Sequence, residues 1–402
     1  MKHVSSALLK PYYMDLHIHI GRTKTGRPVK ITASNQLTLT SILEESLFRK
    51  GLDVIGVIDA QSPEVLGEVI ELIDTGYASE IPEGGVRYRE KITLLLGSEL
   101  EIYDENSYGP VHVLCFLPTI EQMKVFSDWC KERMKNIHLS SQRIYVNGKE
   151  LQKKIRSLDG LFIPAHIFTP FKSLYGKGVK VSLEEILDPQ LIDGVELGLS
   201  SDTLMAKELM ELNQFTFLTN SDAHSTGKIA REHQIVHMEV PTFREIAKAL
   251  KAKGGRSISK NIGLDPRLGK YYLSICKVCG IPCENGKCPI GHKGIIRGVS
   301  ERIVELVRLQ KEEWMKKGLE IVERDRPAYI HQVPLEFIPG CGPKTRQKLL
   351  DNFQTEMKVI HEIPFNTLKQ VIPEKIAEYI IRGRNGRLTI HEGGAGHYGK
   401  IK

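Results

Sequence analysis

The sequence predicts an α/β protein. A distorted seven-stranded (β/α) barrel spans residues 1–265, a small four-cysteine element spans 266–298, and an all-α, basic helix-hairpin-helix region spans 299–402. Three features point to this order. Short apolar runs alternate with helical patterns through the first two thirds of the chain. Histidines and carboxylates sit in or close those apolar runs. Near residue 270 the pattern gives way to a cysteine-rich stretch and then to charged helical segments.

The first strand lies in "YYMDLHIHI", where His17 and His19 stand two apart and therefore share one face of an extended chain. A helical pattern, "LTLTSILEESLFRK", leads to the strand "GLDVIGVID", which ends on Asp59. After the helix "SPEVLGEVIELIDTG" come the strands "KITLLLGSELEI" with Glu99 and "GPVHVLCFLP" with His112. The helix "TIEQMKVFSDWCKERMKN" precedes "LDGLFIPAH", which closes on His166, and "IDGVELGL", which carries Glu196. "SDTLMAKELMELN" reads as a helix, "FTFLTNSD" as the strand before Asp222 and His224, "HQIVHMEV" as a strand and "TFREIAKALKAKG" as a helix. Strand C-termini of a βα barrel converge on one face, so these polar residues are expected to meet there. Imidazole and carboxylate together suit Zn²⁺, Mn²⁺, Mg²⁺ or Fe²⁺. Cys115 lies in an apolar run and Cys130 in a helical pattern, so both read as core.

The ordered motifs "DLHIHI", "GLDVIGVIDA", "GSELEI", "HVLCF", "PAHIF" and "NSDAH" resemble those of the PHP (polymerase and histidinol phosphatase) family over residues ~12 to ~240. That resemblance implies a phosphoesterase barrel with two or three divalent metals. One metal would lie on His17, His19, Glu99 and Asp222, and a second on His112 and His166 with Glu99 bridging. A third would involve His224. The family's second motif is usually Thr-Asp-His, whereas this chain has Ile58, Asp59 and Ala60, and "GRTKTG" lacks a further histidine. Asp59 is then either a partial substitute ligand or a positioning group. The resemblance places catalysis on Asp222, Glu99, His17 and His19: paired metals lower the pKa of water and neutralise charge growing on phosphoester oxygens.

Cys276, Cys279, Cys283 and Cys288 are spaced C-x2-C-x3-C-x4-C, which suits one closed structural zinc, with His292 as an alternative to Cys288. The loop between them is too polar to fold by burial, so a metal would supply its folding energy. Seven cysteines, four of them in so short a stretch, argue against a secreted disulfide framework.

"PLEFIPGCGPKTRQKLLDNF" has the pattern of a helix-hairpin-helix, with Gly340 and Gly342 allowing a tight hairpin and Lys344 and Thr345 offering a charge and a donor to a phosphate. "IPFNTLKQVIPEKIAEYII" reads as a second copy without the glycines. Residues 266–402 hold 24 basic and 15 acidic residues, while residues 1–265 hold 32 and 34, so the net charge of +7 sits in the C-terminal third. A basic module joined to a neutral one fits a polyanion partner. No apolar run approaches the ~20 residues of a membrane span, and the expected location is the cytoplasm.

The order of barrel, cysteine element and basic hairpins, with "IHQVPLEFIPGCGPKT" and "GGAGHYGKI", is similar to the endonuclease Q family of DNA-repair nucleases. This implies cutting of DNA on the 5′ side of a deaminated base (hypoxanthine, uracil or xanthine) or of an abasic site, leaving a 3′-hydroxyl and a 5′-phosphate. Reading such a base requires rotating it out of the duplex. Phe168, Phe171 and Tyr175, just beyond His166, are the expected stacking residues. The alternatives are a small-molecule phosphatase, or a non-catalytic DNA-binding protein with a relict barrel.

Overall fold

The computed structural model describes residues 8–269, 271–283, 286–317, 324–391 and 400–401. Seven strands form the barrel: β1 (Lys10–Ile18), β2 (Val54–Val57), β3 (Ile92–Ile102), β4 (Val111–Leu117), β5 (Leu161–Pro164), β6 (Val195–Glu196) and β7 (Phe217–Leu218). β1, β2 and β3 pair in parallel, as do β6 and β7. β4 runs antiparallel to both of its neighbours, β3 and β5. The Ile167 N–H donates to the Glu196 carbonyl at 2.9 Å, joining β5 to β6. Ala223 pairs with Ile18 and closes the ring beyond β7.

The antiparallel β4 matters for function. His112 stands second in that strand, opposite Glu101 near the end of β3. The reversed strand thus brings its first residues to the face where the other strands end.

Inside the barrel the Phe116 ring is buried over two glycines. A Cβ on Gly56 or Gly97 would come within 2.8 or 2.6 Å of that ring. The barrel centre is therefore filled by one aromatic side chain, with glycines on the two adjoining strands. Met14, Leu16, Leu95, Leu114 and Ile163 complete this packing. The helices α1 (Leu39–Glu44), α2 (Pro63–Asp74), α3 (Ile120–Lys131), α4 (Gly148–Ser157) and α5 (Phe243–Leu250) bury their apolar stripes against the sheet or the adjoining core. Thr38, Thr119, Asn147 and Thr242 cap four of them with side-chain oxygens. Cys115 and Cys130 are fully buried, as expected.

Three expectations need correction. "SDTLMAKELMELN" is not one helix but a turn at Thr203–Ala206 and a 3-10 segment at Met210–Gln214, separated by extended backbone at Leu209. Leu209, Met210, Glu211 and Leu212 are all buried, a full turn of consecutive residues rather than the one-sided stripe of a surface helix. The sheet also extends past the barrel, through β8 (His233–Met238) and β9 (Ser257–Gly263), the latter not foreseen. Finally, Ala328–His331 falls within the region expected to be all-α. It is a strand, β10, paired in parallel with β9. It satisfies the free edge of β9, a demand invisible in local sequence.

The long charged helix, α6, runs Val299–Lys317; of the helix expected over "SERIVELVRLQKEEWMKKGLEIVERD", residues 318–323 lie outside the described residues, and Arg324 and Asp325 are not helical. The C-terminal region is helical, with α7 (Pro343–Phe353), α8 (Phe365–Val371) and α9 (Glu374–Arg384). Most of the "GGAGHYGKI" stretch lies outside the described residues. Among the described residues no helix is long and apolar enough to cross a membrane.

Candidate metal centre and its cavity

The strand ends bring the expected residues together in and beneath a cavity of about 440 Å³ whose lining includes Lys30, Glu99, His112, His166, Asp222 and His224. Glu99 lies at the centre. Its Oε1 is 3.5 Å from His17 Nε2, 2.9 Å from His112 Nδ1 and 3.4 Å from His166 Nε2. Its Oε2 is 3.6 Å from His19 Nε2. Oε1 thus faces His17 as well as His112 and His166, and Oε2 faces His19, so the carboxylate lies between the two histidine groups. Asp222 Oδ1 lies 3.4 Å from both His17 Nε2 and His19 Nε2.

The residues fit a metal. Nε2 of His17, His19 and His112 is buried in each case without a hydrogen-bond partner. A buried unpaired ring nitrogen is costly, and those of His17 and His19, both facing Glu99 and Asp222, call for a cation, while that of His112 lies 3.7 Å from Glu101 Oε2. Three overlapping sets have donor atoms close enough to share an ion: His17, His19 and Glu99; His19, Asp222 and His224; and Glu99, His112 and His166.

The outer contacts orient these rings. His17 Nδ1 meets Glu196 Oε2 at 2.9 Å, and His19 Nδ1 meets Ser140 Oγ at 3.0 Å. Donation from Nδ1–H leaves the Nε2 lone pair for a metal. Asp59 stands outside the three donor sets, and its Oδ1 is buried without a hydrogen-bond partner. Its Oδ2 accepts from the Ile20 N–H at 2.7 Å and lies 3.4 Å from His19 Nδ1, and the residue is fully buried outside the cavity lining.

Electrostatics match. Burial alone would raise the Glu99 carboxyl, but the His112 and Lys30 charges outweigh it and hold the group well below the usual range. Burial acts likewise on Asp222, and His17 and His19 overcome it. Both carboxylates thus remain anionic, Glu99 buried and Asp222 partly exposed to the cavity.

Backbone strain is concentrated here too. Ser141, His166, Lys172 and Asp222 all have positive φ, at 53°, 32°, 52° and 47°. All four line the cavity. Non-glycine residues rarely take this region, and they cluster where function demands it.

Sequence reasoning missed Lys30, Ser140, Ser141, Lys172 and Thr169, which lie on loops without periodicity. It noted Glu196 at a strand end but gave it no role.

The aromatic assignment needs correction. Phe168 and Tyr175 are buried and stack on each other with centroids 5.4 Å apart. The Tyr175 hydroxyl donates to Glu211 at 3.0 Å. Neither can reach a base. Phe171 is 45% exposed and lines the cavity mouth.

In the cysteine element the structure groups Cys276, Cys279, Cys288 and His292. Cys279 and Cys288 Sγ are 3.6 Å apart, and His292 Nδ1 is 3.8 and 3.7 Å from the sulfurs of Cys276 and Cys288. Thiolates at ~2.3 Å around one tetrahedral zinc stand about 3.8 Å apart. Cys283 is buried in the same cluster, but its sulfur faces the Ile281 carbonyl at 3.6 Å. His292 thus lies with three of the four expected cysteines, and Cys283 packs in the same cluster.

In the C-terminal hairpin Gly340 has φ +81°, Gly342 is the N-cap of α7, and Thr345 Oγ1 is 3.4 Å from the Gly340 carbonyl. The element before the hairpin is only a 3-10 turn, Leu335–Phe337. Lys344 is exposed at the start of α7.

A barrel with histidines clustered around a central carboxylate at its strand ends, beside a cysteine element, fits a metal-dependent hydrolase of phosphoesters. Comparison with known proteins narrows the class. The crystal structure of the lesion-specific endonuclease PfuEndoQ from Pyrococcus furiosus superposes with a TM-score of 0.81 at 31% identity, covering 98% of this chain and 95% of that one. An endonuclease Q complex with a 27-mer duplex bearing an abasic lesion at the active site superposes with a TM-score of 0.80 at 31% identity, over 98% and 96% of the two chains. YqxK, an uncharacterised protein of Bacillus subtilis, is 54% identical over 397 residues, which is 98% of this chain and all of that one. No family model matches the chain. The chain belongs to the endonuclease Q family, and it is a metal-dependent endonuclease.

Proposed function

We propose that this DNA-repair endonuclease hydrolyses the phosphodiester on the 5′ side of a deaminated base or an abasic site, leaving a 3′-hydroxyl and a 5′-phosphate. The observation that carries the reading is the bridging position of Glu99 between two histidine groups with unpartnered nitrogens. Family membership supplies the DNA substrate: a relative is known in complex with a lesion duplex.

His17, His19, Glu99 and Asp222 would hold one divalent ion, and Glu99, His112 and His166 a second, with His224 beside the first. Such ions supply Lewis-acid polarisation of the phosphodiester and an acidified water. The chain's own residues do the rest. Glu196 and Ser140 hold His17 and His19 in one tautomer and orientation. The barrel excludes water from beneath the cluster. Phe171, exposed at the cavity mouth, stacks on the extruded base or fills the gap it leaves.

The chemistry belongs to the barrel of residues 1–265. The element over 266–298 is a zinc-stapled spacer, and residues 299–402 grip DNA through Gly340, Gly342, Lys344 and Thr345 without reading bases.

The test is a panel of 5′-labelled duplexes carrying inosine, uracil, xanthine, an abasic site or no lesion, each with Mn²⁺, Mg²⁺ or Zn²⁺. Cutting of lesion duplexes on the 5′ side, with the intact duplex spared, is expected. Equal cutting of intact DNA, or activity on phosphomonoesters alone, would sink the proposal.

A further inference from the structure

The loop after β1 lacks the extra histidine of related barrels, yet it places a charge in the same cavity. Lys30 Nζ lies 3.3 Å from Glu99 Oε2 and 2.6 Å from Ser141 Oγ, and its side chain is only 15% exposed. Ser141 also hydrogen-bonds to Glu99 Oε2. An ammonium has three donors, and these two contacts use two of them. Lys30 lines the cavity together with Glu99, His112, His166 and Asp222, which leaves its third donor for a group that enters that space.

Holding a lysine here is costly in side-chain entropy and desolvation. If its role were only to neutralise Glu99, the bridged metals would make it redundant. Four imidazoles, those of His17, His19, His112 and His166, already surround Glu99. Ser141 sits in the left-handed region at φ 53°, so the chain bears local strain to place the hydroxyl that fixes the ammonium.

We propose that Lys30 is a catalytic residue: its ammonium donates to a non-bridging oxygen of the scissile phosphodiester and stabilises the charge that grows there. Ser141 is the positioning residue that holds it. A fixed cation aimed at developing charge in a dry site acts as an oxyanion-hole donor does, where losing one donor costs about 10²–10³ in rate. The inference rests on phosphodiester hydrolysis by the cluster, and not on which lesion is recognised.

The experiment compares wild type, Lys30→Met, Lys30→Arg and Lys30→Ala on two substrates: bis(p-nitrophenyl) phosphate and an inosine duplex. Barrel metal content is measured in each protein. Lys30→Met should lose about 10²-fold or more in kcat on both substrates while retaining its metals. Lys30→Arg should recover part of the rate, and methylammonium should restore part of it to Lys30→Ala. Undiminished hydrolysis by Lys30→Met would overturn the proposal. So would loss of metal in that variant, which would make the lysine a support for Glu99. Absence of rescue by either arginine or the amine counts against it equally. A wild type that hydrolyses the small diester but spares the inosine duplex would contradict the DNA-lesion reading and leave the lysine test intact. A wild type inert on both would overturn both.

Discussion

Glu196 illustrates how the site is held. Its Oε2 accepts from His17 Nδ1 at 2.9 Å and from Asn220 Nδ2 at 2.8 Å, while Oε1 accepts from the His166 backbone N–H at 3.0 Å. One carboxylate thus fixes a residue from each histidine group. Glu196→Gln removes one acceptor, so metal retention should fall by ~10–100-fold, read by chelator competition, with the fold unchanged. The ligands themselves should behave more severely. Asp222→Ala or Glu99→Ala should lose at least ~10³-fold in single-turnover cutting while keeping DNA affinity, because the proposed grip lies elsewhere. Equal losses in affinity would contradict that separation. That these residues meet was legible in the sequence, because strand ends converge and because a two-residue spacing shares a face. Lys30 and Ser141 were not, since nothing periodic marks a loop residue that folds back over a cavity. Phe168 and Tyr175 were misread because an aromatic pair beside a ligand looks the same whether it faces a rim or a core.

The two small elements of the C-terminal third were each visible from spacing, and each differed in detail. The cysteine spacing announced a metal site, but the choice among five donors depends on how the chain turns. Cys283 turns to a carbonyl, and His292 turns to the sulfurs. His292→Ala and Cys276→Ser should therefore release about one equivalent of zinc, and Cys283→Ser should retain it. Zinc loss from Cys283→Ser with retention in His292→Ala would restore the four-cysteine set. The glycine hairpin shows the same division. Gly340 needs its left-handed backbone, while a Cβ on Gly342 meets nothing within 4 Å. Gly342→Asp with Lys344→Glu should then fold normally and weaken binding to damaged and intact DNA alike. The slope of log affinity against log salt should flatten by about one unit per lost phosphate contact.

Across the molecule, the parts are less separate than composition suggests. β10 extends the barrel's sheet from within the C-terminal third. His361 stacks on Tyr13 of β1 with centroids 5.1 Å apart. Lys50 Nζ and Glu356 Oε2 form an ion pair at 2.9 Å, with side chains only 4% and 7% exposed. Removing one partner strands a buried charge. Lys50→Met should cost about 3–5 kcal/mol in denaturant unfolding, and adding Glu356→Leu should recover most of it. The charge asymmetry between front and back was legible in composition. The docking was not, because it depends on pairs such as residues 50 and 356 that no local pattern relates.

The central claim is that one cluster, built on Glu99, cuts DNA beside a lesion. The most direct measurement maps the products formed from a single inosine duplex by wild type and Asp222→Ala under single-turnover conditions. Wild type should give one cut, 5′ to inosine, with an end that a DNA polymerase extends, and Asp222→Ala should give none. An intact duplex with wild type in Mn²⁺, Mg²⁺ and Zn²⁺, or equal cutting by Asp222→Ala, would contradict the account.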